Sequence, residues 1–386
     1  MNIYRTILII SFLFSVGFLV VPDRAQAIET IAREAIMVDM DTGDTLMSKD
    51  ADKLMPPASM SKLMTLYMLF ERLRDGSLSV DDTLRVSVDA WRRGGAKSGS
   101  STMFLLPKKQ VRIGDLIPGI IVQSGNDACI VVAEGLSGSE EAFADEMTKK
   151  AHELGMLSST FRNATGWPHP EHLTTARDLA TLAKRTILDF PEYYKFYKQL
   201  EFTYSGIKQH NRNPLLYKDM GVDGLKTGHT EVSGYGLTSS AVRGDRRLIL
   251  VVNGLPSKKA RSTESERLLE WGFREFKNYA LFAKGAQVDT ANVWLGKESV
   301  VPLIIDQDVK ITLSRKARSQ MKVTVSFDGP IPAPIAQGDK IAVLKIKAPG
   351  REVIEIPLSA GASVEQLGLF GRLGAALNAI LWGHSG

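Results

Sequence analysis

The sequence is poor in the residues that form disulfides and metal centres. Its 386 residues include a single cysteine, Cys129, so no intrachain disulfide can form. None of the histidines falls at zinc-ligand spacing and no HExxH pattern is present, so we expect no metal centre. The histidines are His152, His169, His172, His210, His229 and His384. A disulfide-stapled domain and an HExxH metallopeptidase are therefore excluded.

The chain also lacks blocks of like charge. Lys and Arg exceed Asp and Glu by only five and are spread along the chain, so a nucleic-acid partner has little support. Hydrophobic residues make up 44% of the sequence, as in ordinary soluble globular proteins. This composition excludes a disordered chain, a collagen and a polytopic membrane protein, and the length favours two domains.

A long apolar run occurs at the N-terminus. Arg5 precedes the apolar residues 7–21, and the small-residue triplet Ala25–Ala27 follows at the distance expected of a cleavage site. We therefore predict a signal peptide over residues 1–27 and a mature chain that begins at Ile28. An uncleaved N-terminal anchor is the alternative. Export combined with one unpaired cysteine fits a bacterial periplasmic enzyme.

Strand and helix patterns are mixed over residues 28–282. A β-hairpin is predicted for residues 34–48, around the turn 41–44. Helical periodicity begins at or just before Ser59 and returns in several later segments. Those helices are predicted at 113–123, 128–136, 139–154, 174–187 and 262–276, and strands at 225–230, 236–240 and 248–252. The pattern predicts an α+β domain.

The composition changes after Phe282. Short alternating apolar runs follow, separated by Gly, Pro and Asp turns, which predicts a small all-β domain, a sandwich, over residues 283–360. The runs lie at 300–303, 309–313, 322–327, 341–346 and 353–356. The last segment, 361–386, is predicted to form an amphipathic helix over 363–382. Its apolar face would carry Leu367, Phe370, Leu373, Leu377 and Ile380.

Ser59 and Lys62 form a Ser-x-x-Lys pattern at the start of a predicted helix. This spacing places a hydroxyl and an amine on adjacent turns of one helical face, where the amine can remove the hydroxyl proton. Alone the pattern is weak, because Ser205 and Lys208 match it too. Assigning a nucleophile therefore needs further signatures.

Two further signatures follow in the chain. Ser124 and Asn126 form Ser-x-Asn between two predicted helices, and Lys226–Gly228 read Lys-Thr-Gly in a predicted strand, where the glycine lets another backbone approach. The three motifs in this order resemble the penicillin-binding and serine β-lactamase superfamily. The surrounding residues, 57–62, 123–128 and 223–230, are similar to those of the low-molecular-mass penicillin-binding proteins, the D-alanyl-D-alanine carboxypeptidase family.

This resemblance implies an activity and a set of catalytic roles. The chain would remove the terminal D-alanine of peptidoglycan stem peptides ending in D-Ala-D-Ala through an acyl-enzyme, would be inhibited by β-lactam antibiotics, and would need no metal or organic cofactor. Ser59 would be the nucleophile and Lys62 its base. Ser124 would relay a proton to the leaving amine, and Asn126 would orient Lys62 and the substrate amide. The backbone N–H groups of Ser59 and His229 would form the oxyanion hole.

The resemblance also implies how substrate is held and where the protein acts. Lys226 and Thr227 of the Lys-Thr-Gly motif, which ends at Gly228, would meet the substrate carboxylate. Arg261 matches the family's carboxylate-binding arginine, and Arg212 matches another arginine lining that region. In that family the amphipathic tail anchors the enzyme on the outer face of the cytoplasmic membrane, which implies a peripheral membrane contact in the periplasm here.

The sequence departs from the family pattern at Thr165, where typical members have a histidine before the glycine. This puts in doubt any part such a histidine plays in deacylation. The remaining histidines apart from His229 are interpreted as surface or structural residues. Cys129 lies in an apolar run and is predicted to be a buried small side chain.

Three other functions stay open on the sequence: a β-lactamase, an endopeptidase that cuts D,D-crosslinks, and a catalytically silent penicillin-binding scaffold. Against the β-lactamase, residues 171–175 lack the ExxLN arrangement that resembles the deacylating loop of class A enzymes. The intact motif set argues against the scaffold. The sequence does not decide between carboxypeptidase and endopeptidase, nor does it give the oligomeric state.

Overall fold

The computed structural model describes residues 28–374. The predicted signal peptide, 1–27, and the segment from residue 375 onward lie outside the described residues. The described chain has a mixed helix and strand region followed by a β-rich region, so the predicted fold class is confirmed.

The helices and strands are numbered here in chain order. The helices are α1 (Lys62–Arg74), α2 (Val88–Gly94), α3 (Ile113–Ile121), α4 (Asn126–Ser137), α5 (Glu140–Glu153), α6 (Ala176–Asp189), α7 (Pro191–Tyr194), α8 (Lys258–Glu275) and α9 (Arg315–Ser319). The strands are β1 (Glu34–Asp39), β2 (Thr45–Lys49), β3 (Thr83–Arg85), β4 (Gln110–Arg112), β5 (Glu201–Tyr204), β6 (Ile207–His210), β7 (Val222–Thr230), β8 (Gly234–Arg243), β9 (Arg246–Leu255), β10 (Phe276–Phe282), β11 (Gln287–Trp294), β12 (Val300–Ile305), β13 (Val309–Ser314), β14 (Lys322–Ser326), β15 (Ile331–Pro332), β16 (Lys340–Lys347) and β17 (Ile354–Ala360).

An antiparallel sheet in the order β2-β1-β9-β8-β7 divides the first region into two layers. Successive side chains of a strand point to opposite faces. Ile249 and Val251 of β9 therefore pack into the core that contains α1, α3, α4 and α6, whereas Leu248 and Leu250 pack into the core that contains α8. This sheet holds β7 at its edge, beside the segment that carries Ser59.

The helix predicted to start at Ser59 begins in two steps. A 3-10 turn covers Ala58–Ser61, and α1 follows from Lys62. The helix predicted from residue 262 begins earlier, at Lys258, because the hydroxyl of Ser257 caps it by accepting the N–H of Ala260 at 3.0 Å. The hairpin formed by β5 and β6 was not predicted.

The β-rich region contains a six-stranded sheet in the order β14-β16-β17-β12-β11-β15 and a two-stranded sheet of β10 and β13. Its core includes the fully buried residues Val301, Leu303, Leu344 and Leu358. Strand β10 lies before the predicted boundary at residue 282, yet it pairs with β13 from beyond that boundary. The boundary itself stays a prediction.

The amphipathic helix predicted from residue 363 begins later than expected. Residues 363–368 are not helical, and the described part of the helix covers 369–374. Val364 explains the difference, because its side chain is buried in the β-rich core and its backbone pairs with Ile335. Leu367 consequently precedes the helix. Within residues 28–374, no helix is both long and apolar enough to cross a membrane.

Candidate active site

Ser59 and Lys62 are brought into direct contact. The Nζ of Lys62 donates a hydrogen bond to Ser59 Oγ at 2.9 Å and another to the carbonyl oxygen of Thr165. Lys62 is fully buried, whereas Ser59 is half-buried. The turn from the 3-10 segment into α1 thus places a hydroxyl with solvent access directly on a buried amine.

Burial changes the protonation of this amine. It lowers the pKa of Lys62 to about 8, with Arg212 contributing in the same direction, while the groups of Cys129, Glu140 and Asp127 act in the opposite direction. At pH 7 about one tenth of such an amine is neutral, against less than about one in a thousand for an unperturbed lysine. Lys62 can therefore serve as a base near neutral pH.

The second Ser-x-x-Lys match has a different environment. Ser205 lies in the turn between β5 and β6, and both Ser205 and Lys208 are exposed. Lys208 pairs with Glu201 at 2.7 Å. This second match lies on a surface hairpin. Variants of Ser205 and Lys208 can therefore serve as controls for variants of Ser59 and Lys62.

Ser124 and Asn126 are buried around the start of α4. The backbone of Ser124 has a φ of +63°, an uncommon conformation for a residue with a side chain. Ser124 Oγ and Asn126 Oδ1 are buried without a hydrogen-bond partner among the described residues. Leaving buried polar atoms without a hydrogen-bond partner costs free energy. We therefore expect a bound substrate to form hydrogen bonds with these two atoms.

Strand β7 brings the Lys-Thr-Gly motif against the 3-10 turn that carries Ser59. At Gly228 a Cβ atom would lie 2.9 Å from the carbonyl oxygen of Pro57 and 3.2 Å from the Cβ of Ala58, so the strand can approach this closely only with glycine there. Lys226 and Thr227, the preceding residues of the strand, are both buried.

Three cationic side chains belong to this region: Lys226, Arg261 and Arg212. Burial and the charge of Lys62 lower the pKa of Lys226 well below its usual range. Burial, with a contribution from Arg212, lowers the pKa of Arg261 to about 10. Arg261 Nη2 donates to the carbonyl oxygen of Arg212 at 3.4 Å, and Arg261 Nε has no partner among residues 28–374. Such a cluster of cations, poorly neutralised by its surroundings, suits an anionic ligand.

His229 is exposed at the end of β7 and stacks on Tyr235, with the ring centroids 3.8 Å apart. Partial burial, together with Arg261 and Lys258, lowers the pKa of His229, which favours the neutral form of its imidazole. The Arg261 guanidinium lies 5.8 Å from the centroid of the same Tyr235 ring. The Tyr235 ring thus contacts both His229, at the end of β7, and Arg261, the candidate for binding the substrate carboxylate.

Sequence reasoning noted Thr165 as a departure from the family pattern but missed that its loop also binds Lys62. Asn163 Oδ1 accepts hydrogen bonds from the backbone N–H groups of Thr165, Gly166 and Trp167. The hydroxyl of Thr165 also donates to Asn163 Oδ1, at 3.0 Å. Gly166 has a φ of +83°, and a Cβ there would lie 2.0 Å from the carbonyl oxygen of Ala58. Thr165 contributes its carbonyl oxygen, which accepts the hydrogen bond from Lys62 Nζ. The Asn-x-x-Gly pattern of residues 163–166 was the sequence signal for this turn.

Two further buried side chains have structural environments. Cys129 is fully buried, as predicted, and burial raises the pKa of its thiol to about 12. His172 is buried, its Nδ1 accepts the N–H of Arg162 at 3.0 Å, and burial lowers its pKa to about 4. Over residues 28–374, no cluster of His, Cys, Asp and Glu side chains could hold a metal ion.

A mixed helix and strand domain with a serine hydroxyl on a buried lysine defines the class of serine acyl-transfer enzymes with the penicillin-binding transpeptidase-like fold. The sequence profile of the D-alanyl-D-alanine carboxypeptidases, peptidase S11, matches residues 22–257, and that of the C-terminal domain of penicillin-binding protein 5 matches residues 276–366. The chain belongs to the D-alanyl-D-alanine carboxypeptidase family, which confirms the resemblance.

Individual relatives are similar over most of their length. The D-alanyl-D-alanine carboxypeptidase DacC of Escherichia coli is 38% identical over 94% of this chain and 91% of its own. The structure of penicillin-binding protein 5 from Haemophilus influenzae is 34% identical, with a TM-score of 0.75 over 88% of this chain and 99% of that one. The carboxypeptidase DacD of Francisella tularensis is 30% identical, with a TM-score of 0.77 over 88% and 95%.

Proposed function

We propose that this protein is a serine-type D-Ala-D-Ala carboxypeptidase that removes the terminal D-alanine from peptidoglycan stem pentapeptides and is inhibited by penicillin. The observation that carries the proposal is the 2.9 Å hydrogen bond from Lys62 Nζ to Ser59 Oγ. A hydroxyl held on an amine that burial keeps partly neutral is a nucleophile with its own base. The basic side chains of Lys226 and Arg261, which interact electrostatically with one another, suit the free carboxylate that an exopeptidase must recognise.

The proposed reaction combines the Ser59–Lys62 contact with the roles that the family resemblance implies for the other residues. Ser59 Oγ attacks the carbonyl carbon of the penultimate D-alanine while Lys62 takes the hydroxyl proton. The backbone N–H groups of Ser59 and His229 stabilise the oxyanion that forms. The proton held by Lys62 is relayed through the Ser124 hydroxyl to the leaving nitrogen, the C–N bond breaks, and D-alanine departs with its carboxylate. Water then hydrolyses the ester at Ser59, and Asn126 orients Lys62 and the substrate amide throughout.

A β-lactam is expected to acylate Ser59. Its strained amide occupies the place of the scissile bond, and its ring prevents the leaving group from departing, so the acyl-enzyme hydrolyses slowly. Mass spectrometry of a peptide digest after incubation with penicillin should place the adduct on the peptide that contains Ser59. Ser205→Ala is the matched control and should leave labelling unchanged. An adduct on Ser205, or penicillin turnover as fast as that of a β-lactamase, would contradict the proposal.

We further propose that the protein is exported and works in the periplasm, on the outer face of the cytoplasmic membrane. The leader pattern of residues 1–27 supports export. Support for membrane contact comes from Leu369, Phe370 and Leu373, which are 64%, 88% and 56% exposed at the start of the tail helix. Apolar side chains on one helical face suit the headgroup boundary of a bilayer, although Arg372 is the only basic residue nearby.

Deleting residues 369–386 should release the protein from membranes without changing its peptidase rate. This deletion keeps Val364 in the β-rich core, so the domain should stay folded. Sedimentation with inner-membrane vesicles, followed by activity measurements on both fractions, tests the expectation. Phe370→Glu is a milder variant that should weaken sedimentation in the same direction. A truncated protein that still sediments with membranes would refute the anchor.

A further inference from the structure

Asp127, the residue after the Ser-x-Asn motif, is fully buried and has four hydrogen-bond donors around its carboxylate. Asp127 Oδ2 accepts the hydroxyl of Thr102 at 2.6 Å and the N–H of Leu105 at 3.0 Å. Oδ1 accepts the N–H of Met103 at 2.9 Å and that of Ala128 at 3.0 Å. One side chain at the start of α4 therefore holds several groups of the segment 102–105.

The residues around this carboxylate are closely packed. A Cβ at Gly125 would lie 3.0 Å from Asp127 Oδ1 and 3.2 Å from the backbone nitrogen of Met103. A Cβ at Gly94 would lie 2.3 Å from the backbone nitrogen of Asp127. Glycine at 125 leaves room for the contact between Asp127 and the segment, and glycine at 94 lets α2 pack closely on the Asp127 backbone.

The held segment continues into the carboxylate-binding candidates. The carbonyl oxygen of Ser101 accepts the N–H of Asn126 at 2.7 Å, and the hydroxyl of Ser101 accepts a hydrogen bond from Arg212 Nη1 at 2.6 Å. The carbonyl oxygen of Arg212 in turn accepts from Arg261 Nη2 at 3.4 Å. Asp127 thus holds Thr102, which follows Ser101 in the chain, Ser101 contacts Arg212, and Arg212 contacts Arg261.

We propose that Asp127 is a positioning residue for recognition of the substrate carboxylate. By holding segment 102–105 it places the neighbouring Ser101, whose hydroxyl accepts a hydrogen bond from the Arg212 guanidinium and so orients it. Arg212 is exposed and would otherwise sample many rotamers; fixing it beforehand lowers the entropy lost when an anion binds. The inference rests on the proposed function, because it concerns how the same site recognises a peptide with a free C-terminus.

The test compares a stem pentapeptide with the same peptide amidated at its C-terminus. Ser101→Ala removes only the hydroxyl that contacts Arg212, and should lower kcat/KM for the free peptide by about tenfold, mainly through KM, with little change for the amidated one. Asp127→Asn keeps the shape but loses acceptors, and should reduce the ratio of the two kcat/KM values at least as much. Ser205→Ala, in the exposed turn between β5 and β6, is the control and should leave the ratio unchanged.

If Asp127→Asn does not fold, Thr102→Val removes the 2.6 Å contact from the other partner and should also lower the ratio. The inference would be overturned by a wild-type ratio of the two kcat/KM values in folded Asp127→Asn or Thr102→Val protein, or in Ser101→Ala. Such a result would leave the proposed function standing. Wild-type enzyme that cleaves both peptides equally well would instead overturn the carboxylate recognition within the proposed function, and the inference with it.

Discussion

Lys62→Arg is expected to slow acylation of Ser59 by a factor on the order of 10² to 10⁴. The guanidinium keeps the positive charge but cannot accept the hydroxyl proton, because arginine stays protonated in proteins. The amine is suited to that task, since burial lowers the pKa of Lys62 to about 8 and its Nζ already contacts Ser59 Oγ. Stopped-flow acylation with a chromogenic β-lactam, or pentapeptide turnover, measures the loss.

The pH dependence provides an independent check on the same residue. Below pH 8 most of the Lys62 amine is protonated and cannot act as base, so the acylation rate should rise with pH and level off above an apparent pKa near 8. Lys62→Arg should lack this inflection. Lys208→Arg, in the surface match of the motif, should keep both the wild-type rate and the wild-type profile. Acylation of the Lys62→Arg protein at nearly wild-type speed would remove Lys62 from the mechanism.

Arg261→Ala is expected to cost about 2 to 4 kcal/mol in kcat/KM on peptides ending in D-Ala, which corresponds to roughly 30- to 1000-fold. Arg261 is 7% exposed, and its Nε lacks a partner among the described residues, so its planar guanidinium can hold both oxygens of a carboxylate. Binding energy from this remote contact positions the scissile bond, so kcat as well as KM should suffer. Acylation by penicillin should slow too, since its carboxylate occupies the same place.

An amidated peptide separates this effect from general damage. It lacks the charge, so it should be a poor substrate for the wild type and nearly indifferent to Arg261→Ala. The control variant is Arg274→Ala, on the exposed face of the same helix, which should leave both substrates unaffected. Burial already disfavours the charged Arg261 side chain in the free protein, so its removal should not lower Tm. Equal cleavage of free and amidated peptides by the wild type would favour the endopeptidase alternative.

Much of the fold was predictable because its signals are local. Residues 34–39 and 45–49 form the predicted hairpin, and α5 and α6 lie within two residues of their predicted ends. The failures occur where distant contacts override a local pattern. Periodicity predicted a helix from residue 363, but burial of Val364 in the β-rich core keeps residues 363–368 out of the helix. The hairpin of β5 and β6 and the strand β10 carried no periodic signal strong enough to predict.

The sequence by itself determined the order of the three motifs, the family resemblance and the absence of a disulfide, because these depend only on which residues follow one another. It could not distinguish the two Ser-x-x-Lys matches by spacing. The tertiary structure separates them: Lys62 is buried against Ser59 and Thr165, whereas Ser205 and Lys208 lie exposed on a hairpin.

Only the tertiary structure decided which groups surround the side chains of the three motifs. The carbonyl of Thr165 is 103 residues from Lys62 in the chain, and Ser101 is 111 residues from Arg212, yet each pair is hydrogen-bonded. The lowered pKa of Lys62 has the same origin, since desolvation depends on everything packed around the amine. Motifs specify which chemical groups are present, but folding specifies their distances and their exposure to water, on which reactivity depends.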